Sequence, residues 1–154
     1  NVQALGTKTD GSNWRVAVQS PDDTEDYLGV LSIRDKAVIT SGGYERYFEQ
    51  DGKTYQHILD PKTGYPADSG LTSVTIVSAD GTLADGLSTS LFVMGKEKAV
   101  AYWRAHSEEF DAILVEKDGT VSVTENIADQ FTPDDVKLEG YQTGEQIRDI
   151  PIAI

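Results

Sequence analysis

Apolar and polar positions alternate along the first half of the chain, which is the two-residue period of half-buried strands. Trp14, Val16 and Val18 share one face of a strand over 14–19, and the Ser20-Pro21-Asp22-Asp23 cluster ends it in a turn. A second strand is predicted over 27–34, with Leu28, Val30 and Ser32 opposite Leu31 and Ile33. A short apolar run, Ala37 to Thr40, stops at Ser41-Gly42-Gly43. Asp51-Gly52 is a strong hairpin signal between Tyr47-Phe48 and a strand from Tyr55 to Leu59. Residues 60–70 carry two prolines and two glycines and read as a loop, and Leu71 to Ser78 reads as another strand. The period then changes. Leu83, Leu87, Leu91 and Met94 recur at helical spacing, with Asp80 placed as N-cap and Gly95 as the stop. A second helix is predicted over 96–106, burying Ala99, Val100 and Trp103. Ala112 to Glu116 and Thr120 to Thr124 flank Asp118-Gly119 as a closing hairpin, and 134–154 reads as an irregular tail. Strands on both sides of one helical block, with no repeat and no internal boundary, predict one α+β domain over 1–154 with a mainly antiparallel sheet.

Composition narrows what such a domain can do. The net charge of −13 supplies no basic stripe for phosphates, which argues against nucleic acid as a partner. The absence of cysteine excludes disulfides, thiolate metal sites and cysteine nucleophiles. No run approaches the roughly 18 apolar residues that a spanning helix needs.

Three segments carry candidate chemistry. In Tyr55-Gln56-His57-Ile58-Leu59-Asp60-Pro61, a histidine stands at a predicted strand end just before an Asp-Pro turn. An imidazole can take or give a proton near neutral pH, and Asp60 can either orient it or hold the turn. His57 also fits a plain surface or structural role. His106, the other histidine, sits at a helix end where a cation meets the dipole favourably. In Ala84-Asp85-Gly86-Leu87-Ser88-Thr89, Asp85 and Thr89 are four residues apart and share a helix face, with Ser88 close by. A carboxylate and a hydroxyl suit a hard cation such as Mg²⁺, although backbone, water or substrate oxygens must complete its shell. The plainer reading is an aspartate stabilised by the helix dipole, with hydroxyls bonded back to the helix. In Thr40-Ser41-Gly42-Gly43-Tyr44-Glu45-Arg46, glycines permit close approach of a ligand, the hydroxyls can bond phosphate or flavin polar atoms, and Arg46 can pair with an anion. The segment has neither the spacing nor the lysine of a phosphate-binding loop.

The order and wording of these segments resemble the ApbE family. The series is Thr-Ser-Gly-x-Tyr-Glu-Arg-Tyr-Phe, then His-Ile-x-Asp-Pro-x-Thr-Gly-Tyr-Pro, then Ser-Val-Thr-Ile-Val, then Ala-Asp-x-Leu-Ser-Thr, and the match runs from about Asn1 to about Ser122. The resemblance implies a T-fold type of α+β architecture, FAD as flavin donor and a bound Mg²⁺. It assigns Asp85 and Thr89 to the metal and His57 to catalysis. Thr40, Ser41, Gly42, His57 and Asp60 are the expected contacts to the flavin nucleotide. The implied reaction cleaves the FAD pyrophosphate, releases AMP and leaves FMN on a threonine of an acceptor flavoprotein. The alternatives are Mg²⁺-dependent FAD hydrolysis and a non-catalytic flavin-binding or assembly domain. Gly43 stands where many relatives have an acidic residue. The resemblance also implies that this chain is the C-terminal half of its fold, partnered by an N-terminal half. It further implies a full-length protein outside the cytoplasmic membrane and tethered to it.

Overall fold

The computed structural model of the protein describes residues 1–23, 25–44 and 47–134. The predicted tail lies outside them from residue 135 on, as does Arg46 of the glycine segment. Every strand pairing among the described residues is antiparallel. A five-stranded sheet takes the order β1 (Val2–Ala4), β4 (Lys36–Gly42), β7 (Leu71–Ser78), β8 (Asp111–Glu116) and β9 (Val121–Val123). A three-stranded sheet takes the order β10 (Phe131–Pro133), β3 (Tyr27–Ile33) and β2 (Trp14–Gln19), and β5 (Tyr47–Gln50) pairs with β6 (Lys53–Gln56) as a separate hairpin. Helices α1 (Gly81–Met94) and α2 (Lys96–Ala105) are consecutive, and α3 (Glu125–Ala128) is a single turn before β10. This is the expected α+β class with a short helical block.

The five-stranded sheet separates two apolar cores. On one face, Val38, Val77, Ile113, Val115 and Val123 meet Val18, Leu31, Ile33 and Phe131 of the smaller sheet. On the other, Ala37, Val74, Ile76 and Leu114 meet Leu87, Leu91, Phe92 and Trp103 of the helices. Both faces of β7 are therefore covered, and its residues from Ser73 to Ser78 are all buried. Among the described residues, no helix is long and apolar enough to cross a membrane.

Three local expectations are corrected. Leu28 joins Leu31 and Ile33 in one core rather than facing away from them. The register against β2 shifts between Val18 and Gln19, so Val18 faces Gly29 while Gln19 faces Tyr27, and the extra residue turns Leu28 inward. The strand predicted to stop at Thr40 continues through Ser41 and Gly42, because their backbones pair with Val74 and Ser73 of β7. The strand predicted over 55–59 begins earlier and ends at Gln56, which leaves His57 just beyond it. Asp51 and Gly52 form the hairpin turn with φ of 52° and 71°, the signs of a type I′ turn. Phe48 and Tyr55 stack across the hairpin at 5.1 Å.

One buried carboxylate lies at the sheet end away from Gly42. Asp111 is 4% exposed; its Oδ1 accepts from the Thr124 hydroxyl at 2.9 Å, and Lys36 Nζ lies 3.9 Å from Oδ2. Burial pushes its carboxyl above the ordinary range, against the opposing pull of Thr124 and Lys36. A raised folded-state value means that the contribution to stability is full below the unfolded pKa of about 3.9 and is lost as pH rises through the folded value. Asp111→Asn keeps the acceptor for Thr124 and removes the buried charge. It is expected to raise the melting temperature at pH 7, with a gain that shrinks as pH falls toward 4. Asp111→Ala strands the Thr124 hydroxyl and should instead destabilise by about 1–3 kcal/mol. Thermal melts across pH check both, and a lower melting temperature for Asp111→Asn at pH 7 would show that the charge itself stabilises.

Candidate active site

The helix face and the end of β4 come together through hydroxyls. Asp80 caps α1: its Oδ1 accepts from the backbone N–H groups of Thr82 at 2.8 Å and Leu83 at 3.1 Å. Asp85, a turn further on, takes no part in the cap. It is exposed, and its carboxylate makes no hydrogen bond or ion pair among the described residues. Ser41 Oγ lies 2.8 Å from Ser88 Oγ and 3.0 Å from Thr89 Oγ1, and Ser88 also donates to the Asp85 carbonyl at 2.9 Å. Ser41 faces the helix because strand side chains alternate. Thr40 therefore lies on the opposite face, its hydroxyl 2.8 Å from that of Thr75 and its N–H donated to Asn1 Oδ1 at 3.1 Å. Gly42 is buried, and the Tyr44 ring lies 2.3 Å from where a Cβ would sit. The structure thus joins Ser41 to Thr89 and places Thr40 on the other side of the sheet.

His57 leaves β6 with an exposed side chain, and Ile58 beside it is 4% exposed. The following loop is a tight, internally bonded turn. Asp60 N–H donates to the Tyr65 carbonyl at 2.9 Å, and the Asp60 carbonyl accepts from Gly64 N–H at 2.8 Å. Asp60 Oδ1 accepts from Lys62 N–H at 2.9 Å. Of its two expected roles, Asp60 demonstrably fills that of holding the turn. His106 stacks on Tyr102 at 4.4 Å, with Nδ1 2.8 Å from Glu109.

A cleft of about 700 Å³ opens beside the end of β4, within the size range of small-molecule sites. Tyr44, Tyr47, Tyr55 and Phe92 supply its aromatic surface, and Lys117 pairs with Asp68 at its lip, holding that carboxyl below the ordinary range. His57, Asp85 and Thr89 do not line this cleft, but Gln56 and Gly43 do. Tyr55, Asp68 and Lys117 come from three separate parts of the chain, so no sequence spacing signals them.

The oxygen-only set of Asp85, Thr89 and Ser41 fits a hard cation such as Mg²⁺ in chemistry. No group of three or more histidine, cysteine, aspartate or glutamate side chains that could hold a metal occurs among the described residues. Asp85 would hold the ion with hydroxyl help, and further oxygens have to come from elsewhere.

The α+β fold of this chain superposes on solved structures of flavin transferases. A crystal structure of the ApbE protein from Thermotoga maritima superposes with a TM-score of 0.73 at 39% identity, covering 82% of this chain and 41% of that one. The flavinyl transferase ApbE of Pseudomonas stutzeri gives a TM-score of 0.65 at 36% identity, covering 84% and 40%. An FAD:protein FMN transferase of Klebsiella pneumoniae is 42% identical over 143 residues, which is 92% of this chain and 42% of that protein. The ApbE family model matches residues 1–114. The chain belongs to the ApbE family. It spans about two fifths of the length of these relatives.

Proposed function

We propose that this chain carries the Asp85, Thr89 and His57 part of an FAD:protein FMN transferase, which moves FMN from FAD to a threonine of an acceptor protein and releases AMP. The observation that carries the reading is the Ser41–Ser88–Thr89 hydroxyl contact beside an Asp85 carboxylate free of structural duty among the described residues, in a chain of this family. Mg²⁺ bound there would neutralise charge on the pyrophosphate and polarise the attacked phosphorus. Ser41 sets the Thr89 hydroxyl in place from the strand side. His57, on its anchored turn, takes the proton of the acceptor hydroxyl as that oxygen attacks. The tyrosines of the cleft offer faces on which a flat ring can stack. The rest of the catalysis is positioning and charge stabilisation.

The site is completed, on this reading, by the half of the fold that the longer relatives have and these residues do not supply. The full-length protein would act outside the cytoplasmic membrane, where its acceptor would also reside. The test incubates full-length protein, and separately residues 1–154, with FAD, Mg²⁺ and a threonine-bearing acceptor. Full-length protein is expected to give flavinylated acceptor with one AMP per flavin. Free FMN and AMP without the adduct would mean hydrolysis, and neither product would mean a binding domain; either overturns the transfer reading. Residues 1–154 alone are expected to release no AMP. The outer edge of β2, unpaired among the described residues, and the exposed Leu5 and Trp14 should make that fragment self-associate, visible in its solution mass. A monomeric fragment with normal AMP release would overturn the half-site part.

A further inference from the structure

Gly43 and Gln56 occupy one space. A Cβ on Gly43 would lie 1.8 Å from Gln56 Oε1, so the glutamine side chain fills the volume that any other residue at 43 would need. The far end of the same amide is also engaged, because Gln56 Nε2 donates to the Ala67 carbonyl at 2.6 Å. Ala67 in turn donates its N–H to the Ile58 carbonyl at 2.9 Å. Both chain neighbours of His57 are therefore tied to one buried residue, Gln56 through its side chain and Ile58 through its backbone. Gly43 itself donates to the Thr72 carbonyl at 3.3 Å and lies two residues beyond Ser41. The contact thus links the turn that carries His57 to the strand that carries the hydroxyl row.

We propose that Gln56 is a positioning residue for His57, clamped between Gly43 and Ala67, and that residue 43 has to lack a side chain to admit the clamp. The hairpin β5–β6 is otherwise a two-stranded ribbon, a unit of marginal stability by itself. Without the clamp, the backbone on the Gln56 side of His57 loses its tie to Ala67, and the imidazole keeps its chemistry on a less firmly placed turn. Gly43 does not need a positive φ, so alanine there is compatible with the backbone and acts through the glutamine, whose flexible amide must move aside.

The proposal rests on the catalytic reading of His57, and the experiment separates the two. In full-length protein, Gln56→Ala, Gln56→Met and Gly43→Ala are each expected to lower kcat by roughly ten- to a hundredfold, the scale for a misplaced catalytic group. KM for FAD should stay within about threefold. Gln56→Met keeps the length and cannot donate, so wild-type turnover in that variant would show that packing alone suffices and overturn the clamp. The double variant Gly43→Ala/Gln56→Ala should be no slower than the worse single variant, since both remove one contact. Losses that multiply would mark two unrelated packing defects and overturn it. Hydrogen exchange at the Ala67 amide should quicken in all four variants, independently of activity; unchanged exchange would also overturn the clamp. His57→Asn serves as control. Normal kcat in that variant, with quickened Ala67 exchange in Gln56→Ala, would refute the catalytic reading of His57 and uphold the clamp as a structural tie.

Discussion

Asp85→Ala is expected to abolish Mg²⁺-dependent FAD turnover in the full-length protein while leaving its melting temperature almost unchanged. The side chain is exposed and makes no hydrogen bond or ion pair among the described residues, so little folding energy depends on it. Exposed substitutions of that kind stay within about 0.5 kcal/mol, and alanine is the better helix former at this position. Loss of a metal-holding carboxylate, by contrast, removes charge stabilisation from the transition state, on the order of a hundredfold or more in rate. Asp80→Ala is the matched control on the same helix. Asp80 bonds the N–H groups of Thr82 and Leu83, so its removal should cost about 1 kcal/mol of stability and leave the chemistry intact. The two aspartates should thus separate cleanly in an assay of AMP release paired with thermal melts. Full activity in Asp85→Ala would remove Asp85 from the reaction, and a loss of stability matching that of Asp80→Ala would make it a structural residue.

His57→Asn should lower kcat by about 10²- to 10⁴-fold, the range for losing a general acid or base, while FAD affinity changes only a few-fold. Asparagine preserves a polar, hydrogen-bonding side chain of similar reach and cannot shuttle a proton. The fold should tolerate the change, because the side chain is exposed and the turn has its own bonds from Asp60, Ala67 and Gln56. Equilibrium FAD binding and single-turnover rates distinguish the outcomes. Weak FAD binding with a normal rate at saturation would make His57 a binding residue.

Strands β2, β3, β7 and β8, the helical pair and the cap of α1 were legible because side-chain periodicity and short-range bonds are read along the chain, whereas β1, β10 and α3 carry no such signal. Asp80 as cap, Gly95 as stop and Asp51-Gly52 as hairpin turn need only neighbouring backbone groups, and all three stand as expected. The alternation of β2 survives in burial, with Val18 at 2% exposure and Ala17 and Gln19 open to solvent. Leu28 was misplaced for a different reason. Alternation assigns faces only while the register is unbroken, and the shift opposite Gln19 depends on how β2 meets β3. Lys117, likewise, reaches Asp68 from 49 positions away, so nothing in local spacing marks the pair.

The candidate site divides along the same line. Sequence alone put Asp85 and Thr89 on one helix face, because helical geometry determines neighbours at i and i+4. It also singled out His57 before an Asp-Pro turn and made Ser41 and Thr40 equal candidates. Tertiary structure put those two on opposite faces. Pairing of β4 with β7 extends the strand through Gly42, and strand alternation then turns Ser41 to the helix and Thr40 to Thr75. Gln56 was invisible beforehand, since its role comes from an empty space at Gly43 and a carbonyl at Ala67. Short-range hydrogen bonds and side-chain periodicity are encoded along the chain; which distant side chain fills a gap is settled only when sheets and helices close on one another.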